Sequence, residues 1–224
     1  MNVVFMGTPD FAVQSLQALL RAGHHVQAVF TQPDKPVGRK QLLTPPPVKL
    51  FALEQNIPVD QPQSVRTPEV LEQIRTLQPD VCAVVAYGKL LPAELLQIPK
   101  HGCINVHASL LPKYRGAAPI QWAIVRGEQT TGVTTMQLDA GMDTGDILLQ
   151  AEEPIHAQDT VQTLGERLAV LGATLLCKTL TALEQGNVTP QPQNAAKATY
   201  APIIQKEDGL IDWNRPAGAV CYLL

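Results

Sequence analysis

The sequence lacks paired cysteines, long apolar runs and an excess of basic residues, and each absence argues against a kind of protein. The four cysteines, Cys82, Cys103, Cys177 and Cys221, are scattered with no C-x-x-C pair. This argues against a disulfide framework and a zinc site and favours a reducing compartment. No apolar run approaches the roughly 18 residues of a membrane span, and the run 3–6 is too short for a signal peptide. We therefore expect a cytoplasmic protein.

The charge balance and the glycine pattern narrow the partners further. A formal net charge of -3 over 224 residues gives no general attraction to nucleic acid, so such a partner would need a local basic patch. Gly7 follows the first strand pattern, but 7–12 lacks the second and third glycines of G-x-G-x-x-G, and no phosphate-binding G-x-x-x-x-G-K-[ST] occurs. Dinucleotide and ATP binding are disfavoured.

Strand and helix patterns alternate along the chain. Strand patterns cover 2–6, 25–31, 81–86 and 102–107, and helical patterns cover 48–55, 67–77 and 117–126. A further helix is expected to begin with Thr8 as its cap and Pro9 at its first position. This alternation is typical of an α/β fold with helices on both faces of a mainly parallel sheet.

The later part of the chain departs from that rhythm. Two strand-like runs, 131–138 and 146–153, are joined by a short glycine-containing turn, which predicts antiparallel pairing and a mixed sheet. Asp159 and Gln162 resemble a capping box that opens a long helix ending near Glu184. We expect a main domain over 1–186, a linker over 187–204 and the stub of another domain over 205–224.

Two polar residues stand at the end of a predicted strand. Asn105 and His107 are two residues apart, so a carboxamide and an imidazole point to the same side at the carboxyl end of the strand. Open α/β sheets bind ligands at that edge. An isolated N-x-H can equally be a satisfied core pair, but the turn that begins at Ser109 places this one beside a loop-lined cleft.

A carboxylate could complete the site. Asp143 lies between Gly141 and Gly145 in the antiparallel connection, where it is either presented to the cleft or an ordinary turn residue. Asn, His and Asp suit a reaction that develops an oxyanion, since they supply a hydrogen-bond donor, a tunable acid and base, and a charge partner. No Ser or Cys nucleophile is evident and Cys103 is expected to be buried, so we favour direct attack by a substrate group.

Residues 32–47 form a proline-rich segment that carries Lys35, Arg39 and Lys40. It is too long for a simple connector, so it is either functional or a solvated flexible loop.

Three sequence blocks resemble a known family. The blocks 105–112 (NVHASLLP), 115–120 (RGAAPI) and 139–146 (DAGMDTGD), with matching spacing, are similar to the formyltransferases that use 10-formyltetrahydrofolate. The resemblance covers residues 1 to about 215. It implies a Rossmann-like sheet without a bound dinucleotide, and chemistry that needs no metal.

The resemblance also implies residue roles. Asn105, His107 and Asp143 match the catalytic trio, in which Asn105 and a charged His107 steady the oxyanion and Asp143 holds His107. The folate pterin is expected in the cleft between 84–88 and 139–143. The expected folate-binding residues are Val85, Ala86, Tyr87, Gly88, Leu90, Ser109, Leu110, Leu111, Pro112, Asp139, Gly141 and Asp143.

Blocks 5–11, 31–36 and 84–88 point to the branch of the family that formylates the α-amino group of methionine on initiator tRNA, for translation initiation. Lys35, Arg39 and Lys40 match the loop that enters the acceptor end of the tRNA.

The protein is expected to be a monomer. Members with a small amine acceptor, glycinamide ribonucleotide or an amino-sugar nucleotide, share the trio, and a non-catalytic fragment that binds folate or RNA is a further alternative. The family continues into a barrel-like tRNA-binding domain, whereas this sequence stops at Leu224, so tight tRNA binding is in question.

Overall fold

A computed structural model describes residues 1–214 as a sheet with helices on both faces. Seven strands pair in the order β5-β2-β1-β6-β7-β8-β9. Their bounds are β1 (Asn2–Gly7), β2 (His25–Phe30), β5 (Val59–Asp60), β6 (Val81–Val85), β7 (Cys103–His107), β8 (Thr130–Gln137) and β9 (Ile147–Pro154). A separate hairpin joins β3 (Lys35–Val37) to β4 (Leu42–Thr44).

The mixed character of the sheet agrees with the sequence prediction. β5, β2, β1, β6 and β7 run parallel to one another, whereas β8 is antiparallel to both of its neighbours, β7 and β9. The central strands β1 and β6 carry apolar residues that are buried on both faces, at 3–6 and 81–85, as a sheet covered by helices on both sides requires. The predicted α/β, Rossmann-like fold is confirmed.

Helices cover the two faces unequally. They are α1 (Asp10–Arg21), α2 (Pro47–Glu54), α3 (Pro68–Leu77), α4 (Ala93–Leu96), α5 (Pro119–Val125) and α6 (Val161–Glu184). One core packs α1, α2 and α6 against the side of β1 that carries Val3 and Phe5. The other packs α3 and α4 against the side that carries Val4 and Met6. Successive strand residues therefore serve opposite cores.

Two predicted helix caps are wrong. Pro9, not Thr8, is the N-cap of α1, because the Thr8 hydroxyl donates instead to the Tyr87 carbonyl of a neighbouring loop at 3.1 Å. The capping box of α6 is formed by Thr160 and Thr163. Asp159 accepts hydrogen bonds from Thr163 and from the guanidinium of Arg167, so its carboxylate serves an ion pair instead of a capping box.

Two predicted connections have more structure than expected. The segment 32–47 contains the β3–β4 hairpin. The predicted linker 187–204 lies against the main domain through hydrogen bonds to Ile147 and Arg115. Within 1–214, no helix is both long and apolar enough to cross a membrane. Trp213 of the predicted stub is exposed, and the part of the stub over 215–224 lies outside the described residues.

Candidate active site

A cavity of about 670 Å³ opens at the carboxyl edge of β1, β6 and β7. Its walls come from the loop after β6, the end of β7, the start of α5 and the β8–β9 turn, within 84–91, 105–108, 116–121 and 138–143. This edge is the usual ligand position of open α/β sheets. The volume lies in the range of small-molecule sites.

Asn105 and His107 both line this cavity, as their spacing on β7 predicts. Antiparallel pairing with β8 holds the strand, with Asn105 opposite Met136 and His107 opposite Thr134. Within 1–214 the Asn105 carboxamide has no hydrogen-bond partner, so its N–H groups are available to a ligand. Asn105 is therefore not part of a pair of polar residues that satisfy their hydrogen bonds within the core.

The hydrogen bond of His107 assigns the roles of its two ring nitrogens. Nε2 lies 2.8 Å from the carbonyl oxygen of Tyr114. A carbonyl can only accept, so Nε2 carries a proton in both the neutral and the charged ring. Nδ1 is therefore the nitrogen that gains or loses a proton. It lies 3.7 Å from Oδ2 of Asp143, so the carboxylate faces the nitrogen that changes its proton.

Asp143 is held in place by backbone groups. Its Oδ2 accepts a hydrogen bond of 2.7 Å from the N–H of Gly116, at the start of the segment that leads into α5. Asp143 itself has φ +53°, a conformation that costs a non-glycine residue free energy of order 1 kcal/mol or more. At Gly145 a side chain would collide with the carbonyl of Gln137. The close approach of the two strands therefore requires glycine beside the presented carboxylate.

The loop after β6 forms the opposite wall. Ala86 has φ +46°, and the Tyr87 carbonyl accepts hydrogen bonds from Thr8 and from Gln32, each at 3.1 Å. These contacts fix a loop whose backbone borders the cavity. The Tyr87 hydroxyl is buried without a partner within 1–214, and burial raises the pKa of Tyr87 to about 12. That hydroxyl stays protonated at neutral pH.

The structure brings together only part of the predicted folate-binding set. Ala86, Tyr87, Gly88, Leu90, Asp139, Gly141 and Asp143 line the cavity, whereas Val85, Ser109, Leu110, Leu111 and Pro112 are not among the residues that line it. Val85 is fully buried in the core. The Ser109 hydroxyl donates to the carbonyl of Lys113 at 2.6 Å, and the Leu111 N–H donates to the hydroxyl of Thr134. Residues 109–112 thus form a turn braced against β8.

The three basic residues predicted to contact tRNA, Lys35, Arg39 and Lys40, lie outside the cavity, on the hairpin. Arg39 and Lys40 are exposed between β3 and β4. Lys35 donates from Nζ to Oε1 of Gln32 at 2.7 Å, which links the base of the hairpin to the residue that also braces the Tyr87 loop. The hairpin presents exposed apolar side chains as well, at Val37, Leu42 and Leu43.

Three structural results bear on other candidates. Cys103 is fully buried, as expected, with its thiol facing the carbonyl of Leu95. The thiol of Cys103, together with burial, raises the pKa of the neighbouring Cys82 thiol. Among the described residues, no group of three His, Cys, Asp or Glu side chains could hold a metal ion.

Sequence reasoning missed Gly116 and Gln193. Gly116 has φ +119°, and a Cβ there would lie 2.7 Å from the carbonyl oxygen of Ala201; a glycine just before a predicted helix was the available signal. Gln193 contacts the backbone of the Asp143 turn. It lies fifty residues further along the chain in a proline-rich stretch, where no local pattern marks it.

Comparisons with known proteins identify relatives of this arrangement. The formyl transferase family model matches residues 1–180. A methionyl-tRNA formyltransferase of Trichlorobacter lovleyi is 56% identical over 216 residues, which cover 96% of this chain and 68% of that protein. Among solved structures, a sugar N-formyltransferase from a Shewanella species has a TM-score of 0.76 at 20% identity, covering 100% of this chain and 87% of the other. A phosphoribosylglycinamide formyltransferase from Bacillus halodurans has a TM-score of 0.67 at 28% identity, covering 82% and 95%.

Proposed function

The chain belongs to the formyl transferase family, and on that premise we propose that it transfers the formyl group of 10-formyltetrahydrofolate to the α-amino group of methionine on initiator methionyl-tRNA. One observation carries the proposal. A carboxamide that has no partner within 1–214, and an imidazole whose Nδ1 lies 3.7 Å from a carboxylate, border one cavity at the ligand-binding edge of the sheet. Relatives at 50–56% identity carry the corresponding name.

The cavity fits a folate head group. It encloses about 670 Å³ and is lined by apolar side chains such as Phe11, Leu91 and Leu96 together with the backbone of the Tyr87 loop. Flat heteroaromatic rings bind well between apolar walls with a few polar groups that fix their orientation. We expect Ala86, Gly88 and the β8–β9 turn to hold the folate.

The reaction exchanges one amide bond for another. When bound, 10-formyltetrahydrofolate supplies a formyl group on N10; the amine nitrogen bonds to the formyl carbon, the bond from that carbon to N10 breaks, and one proton passes from the amine to N10. The chain provides the groups that make this exchange possible near neutral pH.

We assign each member of the trio a role that its contacts support. Asn105 donates from its free N–H groups to the formyl oxygen, on which negative charge develops. His107, charged and committed at Nε2 to the Tyr114 carbonyl, donates from Nδ1 to the same oxygen. Asp143 opposes the positive charge of the protonated ring.

The charge of the hairpin favours the proposal that the acceptor is a tRNA and not a small amine. Arg39 and Lys40 present positive charge to solvent in a chain that is acidic overall, so they are suited to phosphate contacts at the tRNA acceptor end. Leu42 and Leu43 add exposed apolar surface beside them.

We further propose that residues 1–186 act as the catalytic domain of a cytoplasmic monomer. All groups of the cavity come from one chain, so the site requires no second copy. Residues 187–204 connect this domain to 205–224, which we assign to the start of a tRNA-binding part.

Parallel incubations with the candidate acceptors show which of them is formylated. The protein is given 10-formyltetrahydrofolate and, separately, initiator methionyl-tRNA, glycinamide ribonucleotide or an amino-sugar nucleotide, and the formylated product is identified by mass spectrometry. We expect formylmethionyl-tRNA. Formylation of a small amine alone would assign the chain to another branch of the family, and folate binding without any product would support a non-catalytic fragment.

A further inference from the structure

A stretch of chain after α6 returns to the site. Residues 191–201, called the strap below, pair with the domain at two places. Gln191 exchanges backbone hydrogen bonds of 2.8 and 2.9 Å with Ile147 at the start of β9. Further along, the Arg115 N–H donates to the carbonyl of Thr199 and the Ala201 N–H donates to the carbonyl of Arg115, each at 2.8 Å. The strap therefore joins the two segments that flank Asp143 in space.

Gln193 occupies the middle of the strap with every hydrogen-bonding position of its carboxamide in use. Nε2 donates to the carbonyl oxygens of Asp143 and Gly145, at 2.9 and 2.7 Å. Oε1 accepts from Nε and Nη2 of Arg115, at 3.0 and 2.7 Å. An amide has two N–H donors and two acceptor lone pairs. Four bonds to two separate segments make this side chain a cross-link.

The two segments that Gln193 joins are the ones that aim the Asp143 carboxylate. Its two donor bonds hold the backbone of the turn in which Asp143 takes its left-handed conformation. Its acceptor bonds hold Arg115, whose neighbour Gly116 donates to the Asp143 carboxylate. Loss of the cross-link would free both sides of the Asp143 contact at once.

A neutral partner suits Arg115 at this position. Arg115 is 5% exposed and has no ion pair within 1–214, so the amide oxygen of Gln193 is what offsets its buried charge. A glutamate at 193 could still accept from Arg115. It would, however, set a carboxylate oxygen against the carbonyls of Asp143 and Gly145, because a carboxylate has no N–H to donate.

We propose that Gln193 is a positioning residue for the transfer reaction, acting through Asp143 and not on the substrate itself. The inference rests on the proposed function for its activity readout. It predicts that the orientation of the Asp143 carboxylate, and with it the turnover number, depends on a residue in a segment that sequence patterns alone mark as a linker.

The test compares Gln193→Ala and Gln193→Glu with a matched control, Gln191→Ala. Gln191 is an exposed glutamine of the same strap whose side chain makes no hydrogen bond within 1–214. We expect kcat to fall about ten- to a hundredfold in both Gln193 variants, the cost of a reacting group displaced by about 1 Å. KM for methionyl-tRNA should stay within about twofold, because the hairpin lies elsewhere, and Gln191→Ala should match the wild type in kcat and KM.

Gln193→Glu separates positioning from folding. It keeps an acceptor for Arg115, so its melting temperature should stay close to that of the wild type while kcat falls. Normal turnover in Gln193→Glu would overturn the proposal, even if Gln193→Ala fails to fold.

A double-mutant cycle with Asp143→Ala gives the second readout, measured in single turnovers with enzyme in excess. If Gln193 acts through Asp143, adding Gln193→Ala to Asp143→Ala should lower the rate by less than about twofold. A full additive loss would overturn the proposal. If Asp143→Ala shows no measurable turnover, the comparison of Gln193→Glu with wild type decides. A wild-type chain without formyl transfer would instead count against the proposed function.

Discussion

At the scale of single residues, the site depends on how each polar atom is already committed. The Tyr114 carbonyl accepts a hydrogen bond from Nε2 of His107, Oδ2 of Asp143 accepts one from the Gly116 N–H, and the Asn105 carboxamide has no hydrogen-bond partner within 1–214. Nδ1 of His107 and both polar atoms of Asn105 therefore remain for the substrate of the proposed reaction. Such side chains contribute to chemistry more than to the stability of the core.

Asn105→Ala, His107→Ala and Asp143→Ala should each lower kcat/KM for methionyl-tRNA by at least about a hundredfold, the range found when an oxyanion donor is lost. His156→Ala, which changes an exposed histidine, serves as the control. Melting temperatures of all four variants should stay near that of the wild type. Near-normal turnover in any of the three would remove that residue from the mechanism.

The Asp159–Arg167 ion pair predicts a pH-dependent loss of stability. Hydrogen bonds from the Arg167 guanidinium hold the pKa of Asp159 well below its usual range. The folded pKa is thus below the unfolded value of about 3.9. The stabilisation is present above that unfolded value and is lost as pH falls through the folded pKa.

Asp159→Asn should therefore cost about 2 kcal/mol of unfolding free energy at pH 7, and the difference from wild type should shrink below about pH 4. Denaturant unfolding at several pH values measures both. Glu166→Gln is the control: Glu166 is an exposed carboxylate of α6, the helix that carries Arg167, and its hydrogen-bond partner is the neutral Gln162. This variant should show no comparable difference. A gap that persists unchanged at pH 3 would contradict this account.

At the scale of elements, the proposed function assigns recognition of the acceptor to the hairpin and the chemistry to the cavity. The β3–β4 hairpin carries exposed Arg39 and Lys40, whereas the trio belongs to β7 and the β8–β9 turn. A change at the tip of the hairpin should therefore affect only a large, charged acceptor.

Arg39→Ala should raise KM for methionyl-tRNA and make the plot of log KM against log salt concentration shallower by about one, the effect of one lost phosphate contact. Folate binding and slow transfer to a small amine should not change. Arg66→Ala, an exposed arginine outside the hairpin, is the matched control. An equal loss with small and large acceptors would show that the hairpin shapes the catalytic cavity itself.

Local sequence patterns predict much of the order of helices and strands, and they predict that Asn105 and His107 lie together at the end of β7. Apolar runs are sufficient to find β1, β6 and β7, and strand periodicity is sufficient to place Asn105 and His107 on one side. The caps at Thr8 and Asp159 are wrong because each side chain has a tertiary partner that no local pattern shows. The strap escapes prediction for the same reason, since its contacts lie up to 85 residues away.

At the scale of the whole molecule, apolar surface accumulates beyond the strap. Leu210 and Trp213 are 76% and 77% exposed, and hydrogen bonds within 205–214 join residues two or three apart. Contiguous exposed apolar surface promotes association. We therefore expect this segment to contribute little to the stability of residues 1–204.

Deletion of residues 205–224 should leave folate binding intact, change the melting temperature by no more than about 2 °C, and raise the concentration at which the protein stays in solution. Calorimetry, folate titration and light scattering measure the three effects. The full chain is the reference for each measurement. A marked fall in melting temperature after the deletion would show that the segment packs on the domain.

The order of the strands has a consequence for how such a protein can change over generations. The hairpin follows β2, whereas Asn105 and His107 lie on β7, and β2 and β7 are three strand spacings apart, about 14 Å. We therefore expect that mutations at the tip of the hairpin leave the trio in place, so that lineages exchange the acceptor by remodelling the hairpin while the inherited chemistry stays unchanged. Solved enzymes named for a sugar and for a ribonucleotide share this fold.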